Sequence, residues 1–189
     1  AKVGETITWT FQQRQLGSYH VNPVLSTLKT PSGKEITLDP METDLAPKTF
    51  EYKAEESGWH SLDTNFGPSV LEMTSDDPVL TAARPSLNVC GTVGTFKFYV
   101  PTGTEDLGLR VVGSPAERVT VTIVDPDGKQ VEKLENVSAL GVWSAEVDEA
   151  TGAPIAPKPG LWTLIFERPT IGVLEDYIVT ILGVPALIQ

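Results

Sequence analysis

Leu28-Lys29-Thr30-Pro31-Ser32-Gly33-Lys34-Glu35-Ile36 and Ile123-Val124-Asp125-Pro126-Asp127-Gly128-Lys129-Gln130-Val131 carry one pattern twice: apolar ends, Pro-x-Gly-Lys in the middle, and a polar residue before the last position. Proline presets the first turn torsion and glycine supplies positive φ, so each stretch reads as strand, tight turn, strand. Two further landmarks flank the pair in the same order. Upstream, Gly4-Glu5-Thr6-Ile7-Thr8-Trp9 echoes Gly94-Thr95-Phe96-Lys97-Phe98-Tyr99. Downstream, Glu56-Ser57-Gly58-Trp59-His60-Ser61-Leu62 echoes Lys158-Pro159-Gly160-Leu161-Trp162-Thr163-Leu164 once one residue is allowed to slip, which sets Trp59 against Trp162. Three landmarks in one order predict an internal repeat. The fold expected is all-β: two tandem, jelly-roll-like β-sandwich domains of related topology, at 1–80 and 81–189. The linker is expected near 76–91, where Asp76-Asp77-Pro78 and Arg84-Pro85 mark connecting chain.

Periodicity along the chain supports strands. Thr6–Phe11, Phe96-Lys97-Phe98, Leu107–Val111, Val119–Ile123 and Tyr177–Ile181 place apolar side chains at every second position, as a strand with one face in a core requires. Threonine and valine, stiff at the first side-chain torsion, supply many of these positions. Turn signals separate the runs at short spacing. Helix is scarce: the candidate stretches, such as Asp44–Phe50 and Lys133–Leu140, are short and broken by Pro or Ser and read as loops or single turns. The apolar end, Ile181–Ile188, either completes a core strand or docks onto a neighbouring domain of a longer parent, docking being favoured for the part after Gly183.

Composition narrows the function classes. The chain has 189 residues, 40% hydrophobic and 21% charged, with 16 Gly, 15 Pro and a net charge of −11. That is a globular composition, outside the disordered class. Cut near Gly91, the halves hold 7 basic and 12 acidic residues, then 7 and 13, so neither is a masked basic module. Nucleic acid and anionic membrane are therefore not expected as partners. No apolar run reaches the ~18 residues of a membrane span. Cys90, the one cysteine, closes no intrachain disulfide and reads as a small hydrophobe in the Ser86–Cys90 run. A chain starting at Ala1 fits a mature exported protein or a piece excised from a larger one.

The second half, roughly Gly94 to Leu182, resembles the bacterial pre-peptidase C-terminal type of β-sandwich and its relatives among carbohydrate-binding accessory modules. The resemblance rests on Thr95–Pro101, Leu107–Val112, Val119–Lys129, Pro159–Leu164 and Tyr177–Ile181. It implies an exported accessory protein of a bacterium, secreted or at the cell surface, and leaves the ligand undecided. The first half keeps the Pro-Ser-Gly-Lys turn and the Gly58-Trp59 step.

Catalytic machinery is not legible. There is no G-x-S-x-G elbow and no H-E-x-x-H, and His20 and His60 are the only histidines, leaving a pairing of either with Asp63 open. The chain is expected not to be an enzyme. Sugar binding needs an exposed aromatic face with hydrogen-bonding neighbours. Trp59 and Trp162, taken as equivalent, read as core, and Trp9 shares a phase with Ile7 and Phe11. Tyr19, beside His20 and Asn22 after Gly17-Ser18, falls in a loop, and Trp143 has an ambiguous phase in Leu140–Val147. Tyr19, His20 and Trp143 are therefore the ligand-binding candidates, with Tyr52 and Phe66 behind them. Asp125 and Asp127 are the candidates for a metal, a structural Ca2+; Asp76-Asp77 and Asp148-Glu149 are weaker acidic pairs, and no EF-hand spacing occurs. No other cofactor is expected.

The function expected is a non-catalytic accessory module that binds polysaccharide or oligosaccharide beside the catalytic domain of a longer parent chain. The alternative is a structural, adhesive or proprotein tandem sandwich without a sugar site.

Overall fold

The computed structural model describes residues 1–76, 80–82, 86–114, 116–145, 150, 155–185 and 187–189. Among them there is no helix, and strands make up 52%, in four sheets. The chain divides into two compact units, Ala1–Val79 and Leu80–Gln189.

The first unit contains β1 (Thr6–Arg14), β2 (Leu25–Lys29), β3 (Glu35–Thr37), β4 (Lys48–Lys53), β5 (Ser61–Asn65) and β6 (Val70–Ser75). They form two three-stranded sheets, β4-β1-β6 and β3-β2-β5. Trp9 and Phe11 point inward from β1 and pack with Val24 and Met41, flanked by Phe50, Tyr52 and Leu62. Each such side chain taken from water contributes about 1.5–3 kcal/mol. The aromatic pairs Trp9–Phe50 (ring centroids 5.9 Å, stacked) and Phe11–Phe50 (5.9 Å, edge-on) fix the register of β1 on β4.

In the second unit are β7 (Thr81–Ala82), β8 (Leu87–Cys90), β9 (Gly94–Val100), β10 (Gly108–Val112), β11 (Val119–Val124), β12 (Gln130–Val137), β13 (Gly141–Ser144), β14 (Gly160–Glu167), β15 (Asp176–Leu182) and β16 (Leu187–Ile188). One sheet runs β13-β10-β15-β8 and the other β12-β11-β14-β9-β16-β7. Alternate residues of β9, β10, β11, β14 and β15 close over one core that includes Val100, Val111, Val121, Ile123 and Leu164, each with no exposed surface.

Set strand against strand in chain order, β1–β6 pair as β10–β15 do: β3-β2-β5 has the order of β12-β11-β14, and β4-β1-β6 that of β13-β10-β15. The second unit adds β9 outside β14 and β8 outside β15. This corrects one landmark. The Gly4–Trp9 run begins β1, whose place in the second unit is held by β10, whereas Gly94–Tyr99 lies in the additional strand β9.

Three other expectations are corrected. Lys48–Lys53 and Gln130–Val137 are strands. In β12 the inward residues Leu134 and Val137 are three apart because the pairing with β11 shifts register between them, and Asn136 adopts φ 51°. Such a bulge inserts an extra residue and breaks the alternation. The chain end does not dock elsewhere: Ile188 pairs with Phe98, and both Ile188 and Val184 are buried in the second unit's own core. No described helix is long and apolar enough to cross a membrane.

Candidate functional site

The repeated turns place one device in each unit. In the second, Asp125 Oδ1 accepts from the backbone N–H of Asp127 (3.0 Å) and Lys129 (2.9 Å), a turn capping its own backbone. Lys158 Nζ donates to Asp125 Oδ2 (3.0 Å) and to Asp127. Asp125 is buried, and these contacts, the Lys158 ammonium first, hold its carboxyl below the usual range. In the first unit Thr30 and Ser32 stand in place of the two acids and Glu56 in place of Lys158. Glu56 Oε1 accepts from Ser32 Oγ (2.7 Å) and Thr30 Oγ1 (3.1 Å), and Oε2 accepts from Ser32 N (2.8 Å). Those bonds, the Ser32 hydroxyl first, lower the Glu56 carboxyl.

At the proposed cation candidates Asp125 and Asp127, an ammonium of this chain already bridges the two carboxylates. Among the described residues no group of three or more His, Cys, Asp or Glu is arranged to hold a metal ion. Asp77, Asp148 and Glu149 lie outside the described residues, as do Pro78, Arg84 and Pro85 of the expected linker.

Register settles how the downstream landmarks align. Leu62 faces Leu28 across β5 and β2, and Leu164 faces Ile123 across β14 and β11. Gly58 therefore matches Gly160, Trp59 matches Leu161, and His60 matches Trp162, with no slip. Both glycines adopt φ near the edge of the left-handed region (138° and 133°), and at each a Cβ would sit 3.0 Å from a ring carbon of the turn proline, Pro31 or Pro126. Trp162 is core, its Nε1 donating to Lys158 O (2.8 Å). Trp59 is not core: it is 78% exposed.

Trp59 shares the outward phase of β5 with Ser61 and Asp63. Near Trp59 that sheet face is polar: Lys29 pairs across to Ser61 and carries an ion pair to Glu35 (3.0 Å), and Thr27 lies between Asp63 and Thr37, while exposed Leu25, across from Asn65, stands at the far end. An indole on a face of hydroxyls, carboxylates and an ammonium is a platform with hydrogen-bonding neighbours. Sequence reasoning missed it because the slipped alignment gave Trp59 the burial of Trp162.

The other candidates are distributed differently. Tyr19 is 61% exposed and His20 is exposed, on the loop between β1 and β2. Gln15 Nε2 donates to Tyr19 O (2.9 Å), and buried Gln13 donates to Asn22 O (2.9 Å) and Ser69 Oγ (2.9 Å), pinning the loop base to the β5–β6 turn. Trp59 stands at the opposite end of β5, roughly 20 Å away at the rise of a strand. Trp143 is half-buried, packed against the second core with its ring 5.8 Å from that of Trp162. Tyr52 and Phe66 pack against the first core.

His60 lies in the inward phase, its ring 5.6 Å from Tyr52 and its Nδ1 3.2 Å from Gly58 O, whereas Asp63 faces outward. The Nε2 of His60 and the hydroxyl of Tyr52 are buried with no hydrogen-bond partner among the described residues. Glu117, Glu175 and Asp176 form an acidic cluster beside β8 that the sequence reading did not single out. Bonds from Ser114 and Asp176 lower Glu117, contact with Glu117 raises Glu175, and burial raises Asp176. Burial likewise raises the Cys90 thiol, so it is not an activated nucleophile. A small depression is lined by Thr120, Lys133, Asn136, Glu167, Arg168 and Thr170; Lys133 pairs there with Glu135 (3.5 Å) and Glu167 (3.8 Å).

The chain matches no family model, and comparison with curated proteins and with solved structures gives no match.

Proposed function

We propose that this chain is a non-catalytic module that binds a polysaccharide or oligosaccharide on the outer face of β3-β2-β5, with the Trp59 indole as its stacking platform. The observation that carries the reading is the 78% exposure of Trp59 beside Ser61, Lys29 and Asp63. The apolar face of a pyranose stacks on an open aromatic ring while its hydroxyls bond to flanking polar groups. Tyr19, at the far end of β5, is a secondary contact for a longer glycan. The secreted or cell-surface role beside a catalytic domain is inferred from the resemblance of the second half's residues to pre-peptidase C-terminal sandwiches and carbohydrate-binding modules. The agreement of strand order between the units supports their origin as a tandem pair.

Affinity electrophoresis against a panel of soluble neutral polysaccharides tests the reading. Retardation by at least one glycan is expected, abolished in Trp59→Ala and weakened in Tyr19→Ala. Equal retardation of Trp59→Ala and the unaltered chain would remove the platform assignment. Absence of retardation on every glycan favours the rival reading of a structural or adhesive module.

A further inference from the structure

The second unit shows what lies beside the strand that β5 resembles. There β14 is paired on both sides, with β11 and with β9. β5 pairs with β2 on one side, and among the described residues no strand lies on the other. Only the end of that edge is filled. Gly58 N donates to Ala1 O (2.9 Å) and the Ala1 ammonium donates to Gly58 O (3.0 Å), so Ala1 takes the place on Gly58 that Val100 has on Gly160. From Trp59 to Asn65 the edge is a row of peptide groups of the kind that templates another strand. Its residues include no Pro or Lys, its pairing with β2 has no bulge, and Asp63 is the one carboxylate along it.

β9 defines what fits there. It sets Phe96, Phe98 and Val100 inward, the Phe98 ring 6.3 Å from Trp162, and Thr95, Lys97 and Tyr99 outward. His60 stands in the place of Trp162, and its buried Nε2 has no partner among the described residues. The outward phase of β5 carries Asp63, which would meet the same acidic surface in a second copy but suits a cation on an incoming strand.

We propose that the open edge of β5 is a strand-docking site for an extended segment of a partner polypeptide. The segment is apolar at every second residue, carries Lys or Arg in the alternate phase, and pairs antiparallel to β5 in the register of β9 on β14. Main-chain hydrogen bonds supply the affinity, and the alternate side chains the specificity. Docking would widen the face on which Trp59 stands, yet it does not depend on glycan binding.

The test uses a capped synthetic peptide, Gly-Thr-Phe-Lys-Phe-Tyr, the sequence of β9 from Gly94 to Tyr99, without Val100, whose place Ala1 holds. It is titrated into the full chain with amide exchange read residue by residue. Saturable one-to-one binding is expected, slowing exchange in β5 at least tenfold while β3 is unchanged; a peptide of the same composition with its phase shifted by one residue should do nothing. Peptide binding is expected whether or not any glycan retards the chain, which separates the two readings. The proposal is overturned by no saturable response, by an equal response to the shifted peptide, or by concentration-dependent protection of β5 without peptide, which would mean self-pairing. Protection seen only when the peptide is fused ahead of Ala1 would also overturn it, making the edge the seat of an intramolecular strand.

Discussion

Lys158 and Glu56 fasten the two turns with opposite charge, so what the turns share is Pro and Gly and not the sign of the group that fastens them. The consequence for pH follows from Asp125, whose carboxyl lies below its ordinary value of 3.8 in the folded chain. A carboxyl depressed by folding stabilises the fold above its unfolded pKa, and that contribution is lost as pH falls through the lower folded value. Lys158→Met removes the principal cause of the depression. The folded pKa then moves up toward the unfolded value, so the thermal midpoint should be lower near pH 6 and its fall from about pH 6 to pH 2 shallower than in the unaltered chain. Superposable acid limbs would show that the contact carries no linkage. At Gly160 the prediction is steric: Gly160→Ala meets Pro126 at 3.0 Å in a backbone conformation that side chains avoid. A loss of about 1–3 kcal/mol is expected in chemical denaturation. Trp59 is the residue the sequence hid. Its neighbours Gly58 and Leu62 were legible as landmarks, but only the register Leu28↔Leu62 fixes which following residue turns inward.

Among elements, the strands with strict alternation were legible: β1, β9, β10, β11 and β15 all lie where period-two runs were read. Those that failed did so for identifiable reasons. β12 carries a bulge at Asn136, so its apolar residues do not alternate, and β4 has only Phe50 and Tyr52 as apolar residues among Lys, Thr and Glu, too few to announce a strand. The match of Gly4–Trp9 with Gly94–Tyr99 was a likeness of two strands with the same period. Pairing partners distinguish them, because β1 lies between β4 and β6 while β9 lies between β14 and β16. Trp143, of ambiguous phase in the sequence, is settled by its neighbour: β13 sets it across from Leu109 with its ring against Trp162. Core continuity across β9, β11 and β14 gives a magnitude. Leu164 has no exposed surface, and Leu164→Ala should cost about 2–5 kcal/mol with the sheet order preserved. A loss under about 1 kcal/mol would mean that the site collapses freely, contrary to a close-packed sandwich.

Over the whole molecule, each unit has its own core, the first built on Trp9, Phe11, Val24 and Met41 and the second on a larger set spanning both of its sheets. Residues 80–189 produced alone should therefore unfold in one cooperative transition, and a non-cooperative melt would contradict an independent core. The charge of −11 is shared between the halves and favours no polyanion, in keeping with a neutral glycan whose binding changes little with salt. The four tryptophans offer a direct reading of the central claim. Trp9 and Trp162 are buried, Trp143 is packed against the core, and Trp59 stands in solvent. Iodide quenching of tryptophan emission, measured as a retarding glycan is titrated in, reports on Trp59 above all. The account predicts that the accessible fraction is lost on saturation and is absent from the outset in Trp59→Ala; a glycan that binds while quenching stays unchanged would contradict it.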